Sequence, residues 1–263
     1  MTPESWFWAE FLVRICATAF VVVFVAWLAA RLGPVVGGIV VGLPIVLGPG
    51  FFFLLREQPP SFVALTATGA LFSLAGTQVF LGAYVAAASR LGPTTTTLAA
   101  AAGWCAAVVP LALLPQSPWA GAALFAVVTV ALRLVCRRLL PPQAGPAAAT
   151  RWSLLFLRGI AAGLLVGAVT LAASRLGASV AGTLLAFPVG FAVILLSLNL
   201  DHGAAIAART AYAGLIGVTS LAAFCLTLAL ALVWLPSWTA YLCALAASVA
   251  ATALASLATG GRR

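Results

Sequence analysis

Apolar positions in this chain fall into nine runs, near residues 8–30, 34–55, 62–89, 95–114, 118–139, 153–174, 178–199, 204–233 and 237–258. Gly, Pro or a charged residue interrupts the chain between them, most clearly at Gly33-Pro34, Pro59-Pro60, Gly92-Pro93, Pro115 to Pro118 and Pro236. A bilayer core of ~30 Å is crossed by about 20 apolar residues in a helix, so each run predicts a transmembrane helix. The third and eighth runs are long enough to tilt or to extend past the lipid. The only linker-like stretch, Leu140 to Arg151, is rich in Pro, Gly and Ala.

The runs repeat. Leu28-Ala29-Ala30-Arg31-Leu32-Gly33, leading to Gly38 and Leu43-Pro44, returns as Ala172-Ala173-Ser174-Arg175-Leu176-Gly177, leading to Gly182 and Phe187-Pro188. The offset is 144 residues without a gap, and it also aligns Arg14 with Arg158 and Glu57 with Asp201. Matching aliphatics mean little in such a chain. Rare residues carry the comparison, since there are 13 Arg and 4 acids in 263 residues. The expected architecture is all-α with a repeat of four helices in residues 1–115 and another in 152–263. A linking helix and loop occupy 116–151. Four spans plus one is odd, so the second copy enters the membrane from the opposite side. The expectation is a 4+1+4 inverted-topology repeat.

Composition fixes the solvent. The chain is 64% hydrophobic and 6% charged, and no soluble domain of this size could bury that much apolar surface. Its net charge of +9 comes from Arg alone. The arginines sit singly at the ends of apolar runs, which is the placement of orientation signals rather than a nucleic-acid patch. With the N-terminus outside, Arg31, Arg90, Arg137, Arg138, Arg151, Arg209, Arg262 and Arg263 flank cytoplasmic ends; only Arg56 and Arg175 flank external ones. The expected orientation is therefore N-out and C-in. The first apolar run follows Glu4 and contains Glu10, unlike the positive start of a signal peptide, and reads as a retained helix. The five Cys form no CxxC and read as small buried hydrophobes. One His and four acids leave little for metal chemistry, and no nucleotide-binding or acid–base constellation is visible. Neither a cofactor nor an enzymatic activity is expected.

Candidate chemistry lies in the repeat. Matching Gly/Pro-interrupted segments in two inverted halves are the best sequence pointer to a transporter's substrate site. Here they contain Pro44 with Gly48, and Pro188, each Pro about ten residues into its span. A Pro there removes a backbone hydrogen bond, so the freed carbonyls must face protein or a wet cavity. The plainer reading is a pair of kinked packing helices. Arg14 and Arg158 lie two to three turns into the first helix of each copy, where a guanidinium could meet carboxylate or phosphate. Equally, Glu10 could neutralise Arg14, and Arg158 could snorkel to the surface. Arg31 and Arg175 read as helix stops, like the third Arg-Leu-Gly at Arg90. Gly159, Gly163 and Gly167 read as a helix-packing stripe. Gln78 is the one bulky amide deep in a span and should face the interior. Ser197, Asn199, Asp201 and His202 gather where span seven ends, and Thr94 to Thr97 could cap span four. The expected substrate-binding set is Arg14, Arg158, Pro44, Pro188, Gly48, Gln78 and Asn199. Such sparse polarity suits a small anion or an anionic lipid better than a sugar or peptide.

Val180 to Val193, with Ala181-Gly182 and Phe187-Pro188, resembles a stretch of the GlpM-like small bacterial inner-membrane proteins. Those are single four-helix units. The resemblance implies a fused pair of such units in a bacterial inner membrane, and no substrate. The functional expectation is a transporter or lipid flippase for a small anionic or amphipathic molecule, working by alternating access of the inverted repeats. A membrane scaffold or assembly protein is the alternative. The bilayer is the expected partner, with a homodimer possible.

Overall fold

The computed structural model describes residues 47–142 and 177–260, with isolated positions between 9 and 44 and at 160, 164 and 175. Among the described residues the fold is all-α. The helices are α1 (Leu47–Glu57), α2 (Pro60–Ala87), α3 (Pro93–Ala112), α4 (Pro118–Cys136), α5 (Ala178–Leu185), α6 (Val189–His202), α7 (Ala204–Ala231) and α8 (Ser237–Gly260). Six helices are long and apolar enough to cross a membrane, with α5 and α6 together forming one of them. The chain thus has the character of a multi-pass membrane protein. The expected spans 8–30 and 153–174, and the first part of 34–55, lie outside the described residues, as does the glycine stripe at 159–167.

Prolines read in the sequence as stops turn out to be starts. Pro60, Pro93 and Pro118 each open a helix. The first-turn N–H is an orphan in any helix, so its loss there costs nothing, and the fixed φ suits the first turn. This is why α2 and α3 begin two residues earlier than the apolar runs suggest. Thr94 to Thr97 do not cap α3 either: Gly92 occupies the cap position without a side-chain bond. Thr96 and Thr97 instead donate their hydroxyls to the carbonyls of Leu91 and Pro93. The Arg90 stop is as expected, with its guanidinium donating to Ala86 O at 3.2 Å.

Helix directions follow from which residues meet. Bonds from α2 to α5 and α6 pair Ser73 with Thr183, Thr77 with Ala186 and Tyr84 with Leu195, at separations of 110, 109 and 111 residues. A near-constant difference means that α5–α6 runs parallel to α2. The same holds for α4, where Gln78 meets Thr129 and Gly82 meets Cys136. Helix α7 runs back. Gly203 alone joins it to α6, with φ 87° and ψ 168°, a conformation open essentially to glycine only. Phe191 and Gly214, nearly equidistant from that turn, are in contact. So α2 and α7, which pack against each other at the centre, are antiparallel.

Burial follows the 144-residue register. Helices α2 and α7 each have 28 residues and start 144 apart; α3 and α8 also start 144 apart. Val63 and Ala207, Ala67 and Ala211, Leu71 and Leu215, Phe80 and Phe224, Leu81 and Cys225, and Ala100 and Ala244 are all at 0% exposure, pair by pair. Thr66 and Thr210 are equally buried and each donates to the carbonyl four residues back, at 2.9 Å. Of the most apolar stretch of each span, 78% is buried in α2 and 67% in α7, against 17–22% in α3, α4 and α8. Two central helices are therefore surrounded by peripheral ones whose apolar side chains face outward.

Small residues bring α5 onto α2. A Cβ on Gly182 would strike the Thr66 carbonyl oxygen and lie 2.8 Å from Ala70 N; on Gly69 it would lie 3.1 Å from Ser179 O. Lipid tails are as apolar as Leu, so close van der Waals approach of this kind is what holds membrane helices together. Gly182→Ala is expected to force the two backbones apart and cost ~1–3 kcal/mol, seen as a lower thermal midpoint and a smaller monodisperse fraction in detergent. Gly190→Ala, where a Cβ meets nothing within 4 Å, should leave both unchanged.

Candidate functional site: a broken helix held by hydroxyls

The span Ala178–His202 is interrupted at Ala186-Phe187-Pro188. Pro188 has φ −78° and ψ 46°, outside helical geometry, and stands as the cap of α6. The expected kink is thus a full break, because two turns of α5 end before the proline and α6 begins after it. Ala186 N still bonds Gly182 O at 3.2 Å and Phe187 N bonds Leu184 O at 3.1 Å. Two carbonyls of the broken stretch take side-chain donors from α2. Ser73 Oγ donates to Thr183 O at 2.9 Å, and Thr77 Oγ1 donates to Ala186 O at 3.0 Å. Both hydroxyl residues are almost fully buried. On another side Trp104 of α3 sets its ring edge-on to Phe187 at 4.7 Å. Gly76 makes room for it, since a Cβ there would lie 3.3 Å from the Trp104 ring and closer still to Val108. The Trp104 Nε1 is buried with no acceptor among the described residues.

A matching bond occurs at Pro44. Pro44 is buried in a turn, and its carbonyl accepts from Gly48 N at 2.7 Å; Pro188 O accepts from Ala192 N at 2.8 Å, the same bond 144 residues on. Gly48 is buried, and its carbonyl accepts from Tyr241 Oη at 3.1 Å. A Cβ on Gly50 would come within 3.0 Å of Leu185 Cδ2. The segment that follows Pro44 therefore touches the helix end that precedes Pro188.

The two expected polar residues lie in bonds between helices. Gln78, at 0% exposure, donates through Nε2 to Thr129 Oγ1 at 2.8 Å and to Leu215 O at 3.0 Å, joining α2 to α4 and α7. Thr129 gives its own proton to Phe125 O at 2.7 Å, so it can only accept from the amide. Flipping Gln78 would oppose oxygen to oxygen, and its Oε1 is left buried with no donor among the described residues. Asn199 Nδ2 donates to Tyr84 Oη at 3.2 Å, and Tyr84 donates to Leu195 O at 2.9 Å. Of the interrupted segments, Gly50 meets Leu185 just before the break at Pro188, while Gly48 is held by Tyr241. Gln78 on α2 faces α4 and α7, and Asn199 on α6 meets α2 at Tyr84. Arg14 and Arg158 lie outside the described residues.

Tyr84, Trp104 and Tyr241 were not singled out from the sequence. Their signal was rarity: the chain has three Tyr, and two of them bond a backbone carbonyl at or near the interrupted segments. Replacing both hydroxyls (Ser73→Ala with Thr77→Val) should leave the Thr183 and Ala186 carbonyls without donors. Interhelical bonds in membranes average ~0.6 kcal/mol and reach ~1.7, so a combined loss of about 1–3 kcal/mol is expected by reversible denaturation in mixed micelles. A double variant as stable as the parent would show that the broken stretch does not depend on α2.

No known family model, no curated protein and no solved structure matches this chain.

Proposed function

We propose that this chain is a nine-span, inverted-repeat membrane transporter or lipid flippase for a small anionic or amphipathic substrate. The observation that carries the reading is the helix broken at Ala186–Pro188 in mid-span, in contact with the segment that starts at Pro44. Paired discontinuous helices at a repeat interface are where secondary transporters bind their cargo. The repeat itself is supported by the shared helix starts and by the pairwise burial of α2 and α7. Inversion is supported by their antiparallel course. Because α4 and α5 both run parallel to α2, the chain leaves one at one face and enters the next at the other. That favours a single crossing by the apolar run 153–174, as the odd span between copies requires. In this reading Arg14 and Arg158 supply the anion-binding charge from opposite faces. The chain is a fused pair of four-helix units, as the GlpM-like stretch implies, in a bacterial inner membrane.

A second reading, a non-transporting scaffold, is favoured by a different observation. Two carbonyls at the break take donors from α2, and the amide nitrogens of Gln78 and Asn199 donate across helix boundaries rather than into a cavity. That is how a closed, permanently packed centre is built.

The helix directions gather Arg90, Arg133, Arg137, Arg138 and Arg209 at one end of the bundle. Arg56, Glu57 and Arg175 lie at the other, with the exposed rings of Trp119, Trp234 and Trp238. The arginine bias supports placing the arginine-rich end on the cytoplasmic side, N-out and C-in, and the tryptophan rings at the other end fit a membrane interface. A C-terminal green fluorescent protein fusion should fluoresce and a C-terminal alkaline phosphatase fusion should be inactive; the reverse pattern refutes the orientation.

Transport is tested in proteoliposomes with two probes, radiolabelled benzoate and phosphatidylglycerol labelled on its acyl chain. Wild-type protein should accelerate transbilayer movement of at least one of them. Arg14→Gln and Arg158→Gln should each reduce it by about tenfold or more, the scale of losing a charge-assisted contact, with folded yield retained. Monodisperse wild-type protein that moves neither probe leaves the scaffold reading in place.

A further inference from the structure

We propose that the seam between α4 and α7 at the arginine end holds the headgroup phosphate of an anionic phospholipid. The site is independent of any transport pathway, because it lies where helices end rather than at the broken span.

Three observations converge. First, the charge there is one-sided. Five described arginines meet at this end, with Asp201 the one acid among the described residues on that side. Second, the arginines differ in how they are held. Arg90 closes α2 by bonding Ala86 O, and Arg137 and Arg138 are exposed. Arg133 and Arg209 are partly buried and come from facing helices. The Arg133 guanidinium lies over the Tyr212 ring, 5.1 Å from its centroid, and Tyr212 Oη reaches Arg133 O at 3.5 Å. One turn further out, Arg209 Nη2 donates to Pro141 O at 2.8 Å, tying α7 to the chain that leaves α4. Two guanidiniums are thus fixed along one seam, one by a ring face and one by a carbonyl. Third, neither restraint takes up the charge. A ring face and a backbone carbonyl use one donor or none of the five that each guanidinium carries. The Arg209 Nε has no partner among the described residues.

A phosphodiester matches what remains. It offers several acceptor oxygens and a full negative charge, and Arg binds it in a fork. The source that fits is the surrounding leaflet, because the seam opens between membrane helices at the headgroup level. Basic pockets between helices on the cytoplasmic side recognise anionic headgroups in this way. Acyl chains would lie along the outward apolar side chains of α4, such as Val127, Val130 and Leu134, which are exposed. A surface with diffuse positive charge would attract the same lipids without a place for them, so the proposal turns on the seam rather than on the total charge.

The test uses delipidated full-length protein titrated with phosphatidylglycerol in detergent and followed by native mass spectrometry. Phosphatidylcholine serves as the neutral reference. Wild-type protein should retain phosphatidylglycerol in preference to phosphatidylcholine. Arg133→Gln and Arg209→Gln should each lower that preference about five- to tenfold, while the Arg137→Gln/Arg138→Gln double variant should change it less than about twofold. An equal fall in the surface double variant would overturn the proposal in favour of diffuse charge. So would an undiminished preference in the seam variants. Displacement of the lipid by inorganic phosphate at equal concentration would overturn the lipid source, leaving a free-anion site. If the Gln variants are not monodisperse, Arg133→Lys and Arg209→Lys replace them. Lys keeps the charge and loses the fork, so the preference should fall about threefold, and full retention would overturn the proposal.

Discussion

In a lipid solvent every backbone carbonyl needs a donor from the protein itself, and the rest of this structure depends on how that demand is met at one break. A proline at position 188 ends α5 after eight residues. In water the freed carbonyls would be solvated; in hydrocarbon each would cost several kcal/mol if left bare. The donors come from α2, whose Ser73 and Thr77 are one turn apart on the face turned towards α5. For those hydroxyls to reach, the two helices must lie almost backbone to backbone, and Gly182 and Gly69 make that possible. Close packing and hydrogen bonding are thus one requirement here. The glycines let the helices approach, and the approach lets the hydroxyls satisfy the break.

The same requirement explains why α2 is the centre of the molecule. It carries Thr66, Thr68, Ser73, Thr77, Gln78 and Tyr84, all buried. Thr66 and Thr68 turn back onto their own helix, while the others reach α4, α5, α6 or α7. Its counterpart α7 is buried in the same register but is polar at fewer positions: Leu221 stands opposite Thr77, Gly217 opposite Ser73 and Ala222 opposite Gln78. The two helices share a burial pattern and differ in side-chain chemistry at these positions. Helix α4 touches both central helices. Its Thr129 receives the amide of Gln78, where α7 has Ala222. The amide thus ties α4 to both central helices at a position where α2 and α7 differ.

The sequence was informative where lipid makes physics one-dimensional. The six described spans followed from run length, and the interrupted segment followed from Pro188, which removes a backbone donor in mid-span. The burial of Gln78 followed from the cost of an amide in hydrocarbon. What could not be read was direction on the helix. Apolar residues run all round α2, so nothing in its pattern distinguishes the Thr77 face, which meets α5, from the Gln78 face, which meets α4 and α7. In a soluble helix the polar side would mark the outside; here both neighbours are inside and only packing tells them apart. The prolines at 60, 93 and 118 misled for a related reason. A proline marks a boundary, and its own position cannot say whether the boundary is an end or a beginning unless the neighbouring turn is known.

The charged residues complete the same logic from the outside. Arginines cannot be spread through a chain that lives in lipid, so they collect at helix ends, and helix direction decides which end of the bundle each one reaches. Three parallel elements, α2, α4 and the α5–α6 span, deliver their C-termini to one face, and α7 begins there. Carbonyl-rich C-termini favour cations, so Arg90 and Arg133 are stabilised where they stand, and Arg90 bonds the carbonyl of Ala86 directly. Arg209, in the second turn of α7, has no such carbonyl on its own helix, since a helix N-terminus presents N–H groups. It crosses to the Pro141 carbonyl instead. An arginine placed against the polarity of its own helix is held by a neighbour, and that crossing is what joins the end of the first half of the chain to the start of α7.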